Sequence, residues 1–241
     1  MAVKTLKYAD LSLDDPVAII GFPSIGLVSS IMANFYVSQL KMIPIAGLSS
    51  PEMPPYSMIQ DGTAYSPVRF YGRKHTTKTG RDAIICLSEY APKPEDCYEV
   101  VESVLSYLRY AGVKDIICLD GINRSSEGDI PLVCGSGEGC AKMVKKSKFK
   151  VMESGMVRGT TGVMLYDSKA YDMNVTALLV PANPSLPDPG SATAFIPAIA
   201  SMVPGVRVSP KQLLKEDEEI KKHVESAAAG PDPSASATFY G

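Results

Sequence analysis

Histidine, paired cysteine, excess charge and long apolar runs are all scarce in this 241-residue chain, and each shortage closes off a class of function. Two histidines occur, His75 and His223, and neither is spaced from a cysteine or from the other so as to close a zinc site. No metal and no cofactor are expected. The cysteines, Cys86, Cys97, Cys118, Cys134 and Cys140, form an odd set without CxxC spacing, which excludes a disulfide framework. Lys and Arg total 24 against 26 Asp and Glu, a net charge of -2, so no field gathers nucleic acid or an anionic membrane surface. No apolar run reaches the roughly 18 residues of a membrane span, and the N-terminal segment lacks the apolar core of a signal peptide. A cytoplasmic protein is expected.

What is present is an alternation of apolar runs and amphipathic stretches. Val17 to Phe22 reads as a strand that turns at Gly and Pro into a helix over 25–40, and Ile43 to Leu48 as a second strand. Val68 to Tyr71 and Ala83 to Leu87 read as further strands, the latter apolar enough to be covered on both faces, with a polar hairpin-like segment between them. Glu95 to Tyr110 has helical periodicity, stops at Gly112 and leads into the strand Asp115 to Leu119. Residues 121–139 are Gly/Ser-rich and weakly patterned. Gly162 to Leu165 and Val175 to Val180 read as two more core segments, and a helix from about Ser191 to Met202 follows the proline-rich loop. The class is α/β.

The last helix is strongly punctuated: Ser209 as N-cap, Pro210 in the first turn, Gln212 completing a capping box, and Gly230-Pro231 as the stop. Leu213, Ile220, Val224 and Ala227 make a narrow apolar stripe on an otherwise charged helix. The expected division is therefore a core over 1–208, a C-terminal helix over 209–229 and a flexible tail over 230–241.

Several segments could carry chemistry. Gly21 to Gly26 lies where a helix N-terminus could hold a phosphate, but it matches neither GxGxxG nor the P-loop, and Pro23 removes a donor; a tight turn is expected. Gly135 to Gly139 reads as a loop that could wrap an anion, although no basic residue follows before Lys142. Cys134 and Cys140 read as ordinary cysteines, because Glu138 beside them disfavours a thiolate. Ser24, Ser88 and Thr160 are conceivable nucleophiles whose base would have to be His75 or His223. Asp120 and Glu89, both at strand C-termini, could form an acid and base pair, since open α/β sheets bind ligands at that edge.

The C-terminus differs in kind. Phe239 and Tyr240 stand beyond a linker of Gly, Pro, Asp, Ser and Ala, where exposed aromatics cost on the order of 1–3 kcal/mol each. They either fold back on the body or enter a partner's pocket, with the Gly241 carboxylate meeting a basic residue.

Phe239-Tyr240-Gly241 resembles the hydrophobic-tyrosine-X tail with which proteasome activators and assembly chaperones insert between α subunits of the 20S core particle. The body also resembles the proteasome assembly chaperone family in its archaeal-type branch. The segments that carry this are Gly21 to Val28, Pro51 to Pro55, Leu119 to Asn123, Gly159 to Gly162 and Leu186 to Ala192. The resemblance implies a three-layer α/β/α sandwich similar to nucleoside phosphorylases, a homo-oligomer, and ATP-independent binding to proteasome α subunits. It brings no catalytic residues and no cofactor. Phe239, Tyr240 and Gly241 are the implied partner-binding residues. Ser24 and Ser29 stand where the family often has glycine, which implies a looser turn. An enzyme of the nucleoside phosphorylase or hydrolase type, acting at the sheet edge, is the alternative, because fold alone does not fix function.

Overall fold

The computed structural model describes residues 3–51, 53–77, 79–124, 129–137 and 149–228, the side chains of 216 and 221–228 excepted. In chain order the strands are Lys4–Lys7 (β1), Val17–Gly21 (β2), Ile43–Ser49 (β3), Met58–Gln60 (β4), Thr63–Tyr65 (β5), Val68–Arg73 (β6), Ala83–Ser88 (β7), Asp115–Asn123 (β8), Leu132–Gly135 (β9), Lys150–Val151 (β10) and Asn174–Ala182 (β11). The helices are Val28–Gln39 (α1), Cys97–Tyr110 (α2), Gly159–Asp167 (α3), Pro189–Ala192 (α4), Phe195–Met202 (α5) and Lys211–Ala228 (α6).

Nine of these strands form one mixed sheet in the order β1-β3-β6-β7-β2-β8-β11-β9-β10, while β4 and β5 pair as a separate hairpin. The centre, β7-β2-β8-β11, is parallel, and its near-continuous apolar runs reflect cover on both faces. Side chains alternate between two cores. Val17, Ile19, Ile85, Ile117 and Leu178 face α1, α4, α5 and the start of α6; Ala18, Ile20, Ile84, Ile116 and Leu179 face α2 and Met164 of α3. The result is the three-layer α/β/α arrangement, each fully buried Ile or Leu contributing about 1.5–3 kcal/mol of hydrophobic stabilisation.

Three elements differ from expectation. The helix expected over 25–40 is broken: a 3-10 turn at Ile25–Leu27 precedes α1, with Gly26 and Leu27 both left-handed at φ 63° and 51°. The helix expected from Ser191 is two short helices, α4 and α5, the first capped by Asp188, whose side chain accepts from the Ser191 N–H. The Gly/Ser-rich region contains β9, which pairs antiparallel with β11.

The connections fix where a site can form. From β2 the chain runs through α1 to β3 on one side, whereas β8 continues to β11 on the other. The crevice between the ends of β2 and β8 is thus a topological switch point, the place where open α/β sheets hold ligands.

Candidate functional site

The C-terminal edge of the sheet is built from the segments that carry the family resemblance. Gly121 in β8 has no room for a side chain, because a Cβ there would collide with the carbonyl oxygen of Ile25. Gly26 is needed twice, for its left-handed backbone and because a Cβ would lie 2.8 Å from that of Ala182. Its carbonyl accepts from the Asp188 N–H at 2.8 Å. The turn is tight despite its two serines: the Leu27 N–H reaches the Ser24 carbonyl at 2.8 Å, and the Ser24 and Ser29 hydroxyls bond each other. Asp188 ties the cluster together, accepting from Ser191 N–H at 2.9 Å, Asn183 N–H at 3.0 Å and the Arg124 guanidinium at 3.0 Å. Burial opposes its ionisation, but the N–H groups of Ser191 and Asn183, the Ser191 hydroxyl and Arg124 outweigh that and hold its carboxyl below the usual range.

Beside this cluster, at the switch point, lies a cavity of about 110 Å³ lined by Phe22, Pro23, Cys97, Asp120, Arg158 and Thr160. Burial pushes the Asp120 carboxyl up to about 6, partly offset by hydrogen bonds from the Thr161 side chain and the Gly121 N–H. Glu89 does not join it. Strand β2 lies between their two strands, a separation of about 9–10 Å. Glu89 is instead held by the buried Arg69 guanidinium at 2.6 and 2.9 Å, and it lines a different cavity with Gln60 and Tyr71. Arg69 also donates to the Tyr71 hydroxyl at 2.8 Å and to the Ser66 carbonyl at 3.0 Å. The expected acid and base pair is therefore not formed.

The nominated nucleophiles and base are also apart. The Ser88 hydroxyl is buried in its own turn, donating to the Tyr90 carbonyl at 2.7 Å and accepting the Tyr90 N–H at 3.0 Å. Ser24 and Thr160 sit at the C-terminal edge of the sheet, whereas His75 is at the opposite end, its Nδ1 2.7 Å from Asp82, immediately before β7. His223 falls in α6, and its side chain lies outside the described residues. Cys134 is in β9 and forms no disulfide among the described residues, and Cys140 lies outside them. Of the glycine cluster, Gly135 ends β9 and Ser136 pairs with Val175 through its N–H and hydroxyl; 138 and 139 are not described. Among the described residues no His, Cys, Asp and Glu gather in a group that could hold a metal ion. No described helix is long and apolar enough to cross a membrane.

The root of the C-terminal helix α6 is fastened to the same edge. Leu213 is buried in the core formed with α1, α4 and α5, and the Gln212 amide oxygen accepts from the Gln39 side chain at 2.8 Å. Asp217, 8% exposed, accepts the N–H of Gly190 in α4 at 3.2 Å. Sequence reasoning missed Asp217; its signal was the spacing, four residues after Leu213 and three before Ile220, on the buried stripe. Phe239, Tyr240 and Gly241 lie outside the described residues.

Sheet order, the switch-point edge and the two-sided helical cover define a three-layer α/β/α sandwich with a mixed central sheet. The chain belongs to the PAC2 family, whose model matches residues 18–228. It is similar to the crystal structure of Pyrococcus furiosus PbaA, an archaeal homologue of proteasome-assembly chaperone, at 26% identity and a TM-score of 0.82, over 95% of this chain and 92% of that one. It is also similar in fold to P. furiosus PbaB, an archaeal proteasome activator, at 22% identity and a TM-score of 0.82, over 94% of this chain and 99% of that one. An uncharacterised protein of Methanocaldococcus jannaschii is 22% identical over 227 residues, 94% of this chain and 91% of its own length.

Proposed function

We propose that this protein binds the proteasome, docking on α subunits of the 20S core particle without ATP, as an assembly chaperone or as an activator or adaptor. The observation that carries this reading is the likeness to PbaA over nearly the whole of both chains. The sequence Phe239-Tyr240-Gly241 supplies the contact: Phe239 fills an apolar site, Tyr240 packs and hydrogen-bonds between subunits, and the Gly241 carboxylate meets a lysine. In this reading 1–208 is the body, 209–229 the arm and 230–241 the tether, the protein acts in the cytoplasm, and several copies assemble. One short peptide must bear its ordering entropy alone, so several tails on one homo-oligomer raise avidity through effective concentration.

The test is association of the purified full chain with 20S particles, beside a variant ending at Thr238. Tail-dependent association is expected. Equal binding by the truncated chain would move the interface to the body, and a Tyr240→Ala variant is expected to lose most of the affinity.

A second reading, an enzyme acting on a small molecule at the sheet edge, rests on Asp120 in the switch-point cavity. That cavity, about 110 Å³, is well below the roughly 300–1,000 Å³ of ordinary ligand pockets. Turnover of a nucleoside by the purified protein, abolished by Asp120→Asn, would establish this reading in place of docking.

A further inference from the structure

On the buried stripe of α6, Leu213, Asp217 and Ile220 follow one another at helical spacing, and the middle member is a carboxylate. Leu213 is 1% exposed and Asp217 8%, while Leu214 and Lys215 between them are exposed. An exposed charge on this helix would need no explanation; Lys215 and Glu219 form just such a solvent-facing pair. Asp217 is different, because its carboxylate is turned inward onto the backbone of another helix, accepting the Gly190 N–H at 3.2 Å.

The donor on α4 suits it. Gly190 is the second residue of α4, a position whose N–H has no partner within its own helix, so the Asp217 carboxylate satisfies an orphan donor. A Cβ on Gly190 would lie 2.8 Å from Asp217 Oδ2 and 2.9 Å from its Cγ, so glycine is what allows the two helices to come this close. Asp188, at the start of the same helix, is occupied with Ser191, Asn183 and Arg124 and does not serve Gly190. The clasp therefore joins the C-terminal helix to the turn that packs on Gly26, and through it to the switch-point edge.

We propose that Asp217 is a positioning residue: by clasping Gly190 it fixes the angle and origin of α6, and so the point from which residues 229–241 leave the body. This rests on the docking reading above. Without the clasp, the contacts left to α6 among the described residues include Leu213 in the core and the Gln212 bond to Gln39, both in its first turn. Each tail would then sweep a larger volume, and effective concentration at a ring of fixed pockets falls steeply with that volume.

The experiment uses the full-length protein in four forms: wild type, Asp217→Ala, Asp217→Asn and Gly190→Ala. Hydrogen exchange of the α6 amides and association with 20S particles are measured on each, with the denaturant midpoint as a control on the body. Asp217→Ala and Gly190→Ala are expected to exchange the α6 amides about tenfold faster and to bind 20S roughly three- to tenfold more weakly. Their midpoints should remain unchanged. Asp217→Asn keeps an acceptor oxygen and is expected to behave as wild type, which a requirement for net charge alone would not allow. A synthetic peptide of the last residues should displace all four forms, since the tail itself is intact, and should displace Asp217→Ala and Gly190→Ala at lower concentration because their avidity is reduced. Unchanged α6 exchange in Asp217→Ala and Gly190→Ala would overturn the clasp. Faster exchange with unchanged 20S binding would overturn the positioning role while leaving docking in place. Failure of the wild type to bind 20S at all would overturn docking and positioning together, and the exchange data would still report separately on the clasp.

Discussion

Asp120 and Asp188, both at the C-terminal edge of the sheet, are shifted in opposite directions by their surroundings. Burial dominates at Asp120 and raises its carboxyl to about 6, whereas at Asp188 burial is outweighed by the Ser191 and Asn183 N–H groups and Arg124. Asp82 follows Asp188: burial opposes ionisation, but the N–H groups of Asp14 and His75, at 2.7 and 2.8 Å, and the His75 ring hold its carboxyl low. The signs follow from linkage. Asp82 and Asp188 contribute stability that is present above the ordinary carboxylate pKa and lost as pH falls through their lowered values. Asp120 does the reverse, binding a proton more readily folded than unfolded, so its contribution improves as pH falls from about 6 towards 4. Asp120→Asn is therefore expected to stabilise the protein at pH 8 by about 2 kcal/mol and to flatten the stability profile between pH 6 and 4. Urea unfolding across that range measures both; a variant less stable than wild type at pH 8 would mean that the ionised carboxylate is needed.

At the scale of elements, burial sets both stability and legibility. β2 and β7 are buried at every position and β8 along most of its length, whereas β1 is exposed at every residue and β10 at both of its two. Amides of β2 and β8 are expected to exchange only through global unfolding, and those of β1 and β10 by local opening several orders of magnitude faster, as hydrogen exchange with mass spectrometry would show. The same contrast explains the reading of the sequence. β2, β7, β8, β11 and α2 are long, apolar or strongly periodic, and their patterns point to one answer. The short, exposed β1, β4, β5 and β10 owe their form to neighbours distant in the chain, which no local pattern announces. The break before α1 has the same origin: Ile25 must settle against Gly121, and Gly26 against Ala182, contacts that exist only once the sheet is assembled.

At the scale of the whole molecule, the stability of the packed body and the proposed docking sequence can be tested separately. The body is a packed sandwich whose parts depend on one another, and Phe239-Tyr240-Gly241, the sequence proposed to dock, comes after the last described helix in the chain. Removing these three residues is expected to leave the denaturant midpoint unchanged while abolishing 20S association; a shifted midpoint would mean that the aromatics pack on the body. The docking proposal for Phe239-Tyr240-Gly241 rests on chemistry local to three adjacent residues. For Asp217 the spacing marks only its place on the buried stripe; its partner Gly190 is brought to it by the packing of α4 against α6.

The sheet order has a consequence for synthesis. Strand β2 is the first core strand to be made, yet it lies at the centre of the sheet, with Val17 paired to Ala83 on one side and to Asp115 on the other. A ribosome adding about 5–20 residues per second needs several seconds to reach those partners. Through that interval Val17–Gly21, every residue of which is buried in the finished fold, has nothing to pair with. The nascent chain thus passes through a period when its most apolar strand is available to any other chain being made nearby, and crowding of ribosomes on one message lengthens the odds against correct pairing.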